Sequence, residues 1–307
     1  MNTPSNKSKW VYPRGRLADD TWDLHLDLDH PPIPEWKYTG LRVATLRSGE
    51  SLLIPADDKE RIILVLEGDE LTVSYRGAWE NEFTSQRLRG RKTVFHGTSD
   101  LLYLPINTEI QISGYGRMAI GECRAFNSKP VQYIAKESVP VDIRGAGRES
   151  RQIHNFGMPL QLDADRMIVV EAIVPAGNWS GAPAHKHDVY IPGLESQLEE
   201  LYYFESSVTR EVDVSVATQP FGIFRGYSAD EREFDVTEEV HSGDLVLVPY
   251  GWHGPVAAGP GFDLYFFNVM AGPDPTREWN VTDHPYQAWI RESWASQEPD
   301  SRLPYLE

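Results

Sequence analysis

Gly243-Asp244-Leu245-Val246-Leu247-Val248-Pro249 reads as a short apolar strand closed by a proline. Ser99-Asp100-Leu101-Leu102-Tyr103-Leu104-Pro105, in the first half of the chain, has the same outline. Proline has no backbone N–H to give to a sheet, so it marks the end of such a run. Two other segments recur in the same order. Arg166-Met167-Ile168-Val169-Val170-Glu171-Ala172-Ile173 matches Leu41-Arg42-Val43-Ala44-Thr45-Leu46 as an opening strand, and Glu200-Leu201-Tyr202-Tyr203-Phe204 matches Arg61-Ile62-Ile63-Leu64-Val65. Further runs, at 70–75 and 109–113, are rich in β-branched and aromatic residues and bounded by turn formers, which favours strands. Long helical periodicity is nearly absent. The chain is therefore predicted to be all-β, and the repeated order predicts two copies of one jelly-roll barrel. A polar connector at 128–150 places the division so that residues 1–135 form an N-terminal barrel and 136–307 a C-terminal barrel with a tail. The tail from Ala271 onward, rich in Pro and Trp, is expected to pack across a barrel surface, with Asp283 capping a short helix.

The halves differ at one place. The second carries Ala184-His185-Lys186-His187-Asp188, where the first has Ala56-Asp57-Asp58-Lys59-Glu60. Alternate side chains of a strand point to the same face, so His185 and His187 can share one metal ion. A carboxylate follows in Glu199-Glu200, and His253 follows the strand that ends at Pro249. This set makes a divalent-metal site with positions left open for substrate. Parity separates the adjacent glutamates. If Tyr202 and Phe204 line the cavity, Glu200 shares their face and Glu199 points away, unless a bulge swaps them. The expected ligands are His185, His187, Glu200 and His253. Zinc or manganese is expected first, and iron or nickel accepts the same donors. The first barrel lacks the set and is read as structural.

A formal net charge of −17 over 307 residues argues against nucleic acid and anionic membranes as partners. An anionic small molecule stays within reach, because a local arginine cluster reverses the field inside a pocket. Arg148, Arg151, Arg166 and Arg225 are available for this, since a guanidinium grips a carboxylate with two parallel bonds. Taken singly, each reads more readily as a surface ion pair. Tyr202, Tyr203, Tyr227 and Trp252 suit a polar-aromatic sugar pocket or an ordinary core. Cys123 is the single cysteine, so no intrachain disulfide forms, in keeping with a reducing compartment. Residues 1–14 are polar, without the apolar stretch of an export signal, and no run of about eighteen apolar residues occurs. A cytoplasmic protein is expected. Ser180 lacks a Gly-x-Ser-x-Gly context, and no Gly-rich nucleotide loop is present.

Several segments together carry a family likeness: Gly145-Ala146-Gly147-Arg148-Glu149-Ser150-Arg151-Gln152, Asn155-Phe156-Gly157, Asp163-Ala164-Asp165-Arg166, Pro175-Ala176-Gly177-Asn178-Trp179-Ser180 and His185-Lys186-His187-Asp188. Leu198-Glu199-Glu200-Leu201-Tyr202-Tyr203-Phe204, Leu247-Val248-Pro249-Tyr250-Gly251-Trp252-His253 and Asn268-Val269-Met270-Ala271-Gly272-Pro273 continue it. The chain resembles the 5-deoxy-glucuronate isomerase family of inositol catabolism over most of its length, most specifically at 145–273. The resemblance implies a bicupin, two jelly-roll cupin barrels in one chain, related to 4-deoxy-L-threo-5-hexosulose-uronate isomerases. It implies an aldose–ketose isomerase that converts 5-deoxy-D-glucuronate, a small uronate, to 5-dehydro-2-deoxy-D-gluconate, with the four ligands above around a divalent ion. On this reading Arg148, Arg151 or Arg166 holds the substrate carboxylate and Tyr227 lines the pocket. Candidates for the base are Glu199, Tyr202 or a metal-bound hydroxide. A homo-oligomer is expected. Two places depart from the family pattern: Trp252 stands where a tyrosine is usual, and 283–289 is altered, leaving His284 without an assigned role. The rival readings are a cupin metal dioxygenase, a non-enzymatic sugar-binding bicupin, and a phosphosugar isomerase. The last wants a lysine-rich cradle, and the second half offers little beyond Lys186.

Overall fold

The apolar run before Pro249 forms the strand Leu245–Val248, and its counterpart before Pro105 forms Leu101–Leu104, in a computed structural model that describes residues 8–210 and 212–306. Both strands are buried along their whole length, as apolar side chains on both faces require. Each pairs with the partner that the repeat assigns to it. Leu104 lies opposite Arg61 and Leu101 opposite Leu64. Val248 lies opposite Glu200 and Leu245 opposite Tyr203. Arg61 and Glu200 thus hold equivalent register positions. Of the N-terminal stretch read for an export signal, residues 1–7 lie outside the described residues.

The chain divides into two compact units. Residues 17–140, 154–170 and Leu306 form one, and 8–16, 141–153 and 171–305 the other. These units differ from a single cut between 135 and 136, and hydrogen bonding explains two of the exchanges. Val11–Tyr12 pairs with the edge of Leu245–Val248 that faces away from Glu199–Val208, so the first residues go with the C-terminal unit. The backbone N–H groups of Asp165, Arg166 and Met167 donate to the buried Glu60 carboxylate, which ties 154–170 to the N-terminal unit.

The N-terminal unit is an eight-stranded sheet in the order Leu24–Leu26, Thr39–Leu46, Thr108–Arg124, Lys59–Gly77, Leu101–Leu104, Gln132–Ile134. Ser51–Ile54 and Thr84–Arg91 extend its two long strands. Register shifts between Val65 and Glu70 mark bulges, which bend the long strands around a core that includes Ile63, Val65, Leu102 and Met118. Each such burial contributes about 1.5–3 kcal/mol. At the position equivalent to Glu200, the Arg61 guanidinium is buried and donates to Glu122 at 2.6 Å and to Asp57 at 2.6 Å.

The C-terminal unit sets two sheets around an aromatic core. In one, Leu245–Val248, Glu199–Val208 and Phe262–Ala271 run side by side. The other has the order Asp235–Val240, Gly222–Tyr227, Trp252–Ala258, His185–Lys186, Thr282–Asp283. Tyr202, Phe204, Phe224 and Phe266 interlock with ring centroids 5.1–6.2 Å apart. The architecture is all-β, two jelly-roll barrels in one chain, a bicupin. The tail departs from its expected form. Asp283 caps no helix: it lies in the strand Thr282–Asp283, and the short helix Trp289–Ser293 has Ala288 at its N-cap. No described helix is long and apolar enough to cross a membrane.

Gly254, next to His253, has φ +103°, and a Cβ there would lie 2.1 Å from the Gly181 carbonyl oxygen. Only glycine permits both the backbone conformation and the close approach. Gly177, at φ +73°, has open space around the same position. We expect Gly254→Ala to lower unfolding stability by more than about 2 kcal/mol, and Gly177→Ala by only about 1 kcal/mol, as measured by urea titration.

Candidate metal centre

His185 and His253 stand directly opposite each other in neighbouring antiparallel strands. Partners in such a pair have Cα atoms about 4.5–5.5 Å apart, so their side chains on one face meet. The two ring centroids are 4.4 Å apart. The single strand expected through both His185 and His187 is in fact interrupted. After Lys186 the chain leaves this sheet, and from Asp188 it pairs with Glu195–Gln197. The interruption does not part the imidazoles: the His187 ring lies 4.8 Å from that of His253 and 6.0 Å from that of His185. Glu200 arrives from the other sheet. Its Oε2 lies 3.0 Å from His187 Nε2 and 3.2 Å from His253 Nε2. One ligand atom from each of the four side chains falls within 4.8 Å of all the others.

Hydrogen bonds behind the rings select the nitrogen that faces the centre. His187 Nδ1–H donates to the Leu198 carbonyl at 3.1 Å, and His253 Nδ1–H to the Gly251 carbonyl at 3.2 Å. A carbonyl only accepts, so the proton sits on Nδ1 and Nε2 is left for a ligand. This is the arrangement that metal-binding histidines adopt. Although close to Glu200, His253 Nε2 is buried without a hydrogen-bond partner.

The charges agree with a cation site. Burial disfavours ionised Glu200, but the hydrogen bond from His187 and the charge of His187 and His253 outweigh it and hold the carboxyl well below the usual range. Burial, reinforced by His253 and His187, pushes His185 well below the ordinary histidine range, so that it is neutral at pH 7. Burial also opposes charge on His187, yet Glu200 pushes that ring up, so protons and a cation compete for it. An anion enclosed by donor nitrogens is the chemistry of a divalent ion's seat.

The support around the ligands was not visible in the sequence. The Asp188 carboxylate accepts the Gly251 N–H at 3.0 Å and pairs with Lys186 at 2.7 Å and Arg232 at 2.8 Å. It therefore braces the loop whose Gly251 carbonyl orients His253. The pattern His-Lys-His-Asp contained these residues, but nothing in it said that Lys186 and Asp188 would bind each other.

The other candidates fall in different places. Tyr202 is buried, its ring 6.3 Å from that of His253. Burial and the adjacent Glu200 push its phenol well above its usual value, so it stays protonated. Glu199 is one residue out of phase with Glu200 on the same strand. It shares the face of Leu201 and Tyr203 and lies outside the ligand group. Tyr227 is paired with Trp252, one residue along from the Gly226–His253 pair, and His284 packs against both aromatic rings. Arg151 is buried beside Trp294. Arg148 is exposed on the turn Gly147–Glu149. Arg166 belongs to the N-terminal unit, where it lies over the Phe126 ring. A cavity of about 730 Å³ in that unit is lined by Arg47, Arg89, His96 and Arg117 among others and contains none of the four ligands.

The sequence profile of the KduI/IolB family matches residues 12–290. The chain belongs to the KduI/IolB family. Among the relatives of this KduI/IolB protein is the 5-deoxy-glucuronate isomerase of Geobacillus thermodenitrificans (strain NG80-2), 35% identical over 266 residues, which are 86% of this chain and 90% of that protein. The 5-deoxy-glucuronate isomerase of Bacillus subtilis (strain 168) is 31% identical over 257 residues, 83% of this chain and 88% of that one. An IolB-like protein from Salmonella typhimurium LT2 superposes with a TM-score of 0.78 at 32% identity, covering 92% of this chain and 98% of that chain. The oxalate decarboxylase of Lactobacillus farciminis superposes at 0.60 with 9% identity over 92% of this chain and 90% of that one, which speaks for a common fold alone.

Substituting His185 or His253 by alanine should reduce the metal in the purified protein to trace levels, read by elemental analysis. Asp188→Asn, which touches no ligand atom, should weaken metal affinity about 10–100-fold in a chelator competition while leaving the circular dichroism spectrum in place.

Proposed function

We propose that this protein is a metal-dependent aldose–ketose isomerase that converts 5-deoxy-D-glucuronate to 5-dehydro-2-deoxy-D-gluconate, with His185, His187, Glu200 and His253 as the ligands. The observation that carries this reading is the meeting of three imidazoles and one ionised carboxylate, in a chain whose relatives over 83–86% of its length are 5-deoxy-glucuronate isomerases. Zinc or manganese is the metal expected first, with iron or nickel next. A divalent ion supplies Lewis-acid polarisation of a carbonyl and its neighbouring hydroxyl, which eases movement of a proton between adjacent carbons.

The chain's own residues do the rest. The Leu198 and Gly251 carbonyls hold His187 and His253 in the ligand tautomer. The Tyr202 phenol, kept protonated beside Glu200, offers its O–H as a hydrogen-bond donor at the centre. Phe204, Phe224 and Phe266 close the barrel behind Tyr202 and keep water from that side. Tyr227, Trp252 and His284 offer flat surfaces for the sugar. The N-terminal barrel has the Arg61–Glu122 pair where the other has its ligand carboxylate, which supports a structural role for it. Cys123 is buried and forms no disulfide, in keeping with a cytoplasmic setting, and we place the protein there as a homo-oligomer.

The test is conversion of 5-deoxy-D-glucuronate followed by NMR, with oxygen uptake recorded in parallel. We expect the keto product, no oxygen consumption, a rate at least about 100-fold lower after chelation, and recovery on adding Zn²⁺ or Mn²⁺. Full activity in metal-free protein, or oxygen uptake coupled to turnover, would refute the assignment.

A further inference from the structure

Arg151 is 9% exposed, yet among the described residues its guanidinium donates only to the Glu149 backbone carbonyl, at 3.1 Å. Its Nε is buried with no acceptor. The indole Nε1 atoms of Trp279 and Trp294 are also buried without acceptors. These donors belong to one neighbourhood. The guanidinium carbons of Arg151 and Arg291 lie 5.5 and 5.4 Å from the centre of the Trp294 ring, and that of Arg144 lies 5.8 Å from the Trp279 ring. A buried donor left unmatched is costly, more so for a charged group, so three together call for an acceptor from outside the chain. The charge balance points the same way. Burial, with Arg144 and Arg291 adding their repulsion, pushes Arg151 down to about 10. Arg291 grips the Asp283 carboxylate with two bonds. Asp283 is in turn the strand partner of His185, so the arginine cluster adjoins the metal ligands.

We propose that Arg144, Arg151 and Arg291, with the indole N–H groups of Trp279 and Trp294, form the seat for the carboxylate of a sugar acid whose carbonyl end lies at the metal centre. The identity of that acid rests on the isomerase reading above. A hexuronate carries its carboxylate and its carbonyl at opposite ends, and the two adjoining sites divide these functions between them. Guanidinium groups offer a carboxylate paired, parallel donors, and the indoles supply further donors in a setting with little water. The seat selects acids over neutral sugars because an alcohol in place of the carboxylate would leave the buried donors unmatched.

Calorimetric titration of the metal-loaded protein with D-glucuronate and with D-glucose tests this. We expect the wild type to prefer the acid by at least about tenfold. Arg151→Met should reduce that preference about tenfold or more, with metal content and circular dichroism retained. Trp294→Phe keeps an aromatic ring there and removes one donor, so it should reduce the preference a few-fold even if Arg151→Met does not fold. A wild type that shows no preference, or a preference unchanged in a folded variant, overturns the proposal. Tighter binding of glucose 6-phosphate than of glucuronate overturns the carboxylate assignment. Turnover of 5-deoxy-D-glucuronate in the same preparation separates the two readings: its absence in metal-loaded wild type counts against the isomerase, while the acid-to-neutral preference judges the seat alone.

Discussion

Glu200 is an ionised carboxylate in the interior of a barrel, and the C-terminal unit is arranged around that constraint. A charge removed from water must be matched, or it neutralises. Here the match comes from nitrogens of His187 and His253, with His185 completing the ring. Burial alone would protonate Glu200, and the surrounding imidazoles reverse that outcome. The same carboxylate and ring nitrogens suit a divalent ion, which competes with the proton on His187 for that place. Stability of the barrel and affinity for a cation are therefore aspects of one electrostatic balance.

That balance depends on groups that never touch the centre. Nδ1 of His187 and of His253 are committed to backbone carbonyls, and Asp188 holds the loop that supplies one of these. The N-terminal barrel meets the equivalent register position differently. Arg61 stands there, paired with Glu122 and Asp57, so the charge is matched within the chain and no cation is called for. One fold thus carries either a closed ion pair or an open ligand set at the same place, according to whether the strand brings in a cation or an anion.

The strands and the duplication were legible because they rest on local chemistry: alternation with a period of two, turn residues, and proline at a strand end. The candidate cluster was legible because His185 and His187 are two residues apart and parity placed Glu200, not Glu199, with Tyr202 and Phe204. The interrupted strand at His187 was not legible, since a break in pairing leaves no local mark when both imidazoles still reach the same point. Asp283 looked like a helix cap because aspartate before a short helix commonly is one. Its place in a strand beside His185 follows from pairing with a segment about a hundred residues away.

The amino-acid sequence by itself determined the all-β class, the two-fold repeat and the four side chains that gather at one point, because each depends on spacings within a strand or between repeated strands. Tertiary structure alone decided which segments belong to each unit, which histidine nitrogen faces the centre, and that Arg144, Arg151 and Arg291 gather with two tryptophans beside it. Those relations depend on backbone carbonyls and on residues from distant parts of the chain, and no local pattern records where folding will bring them together.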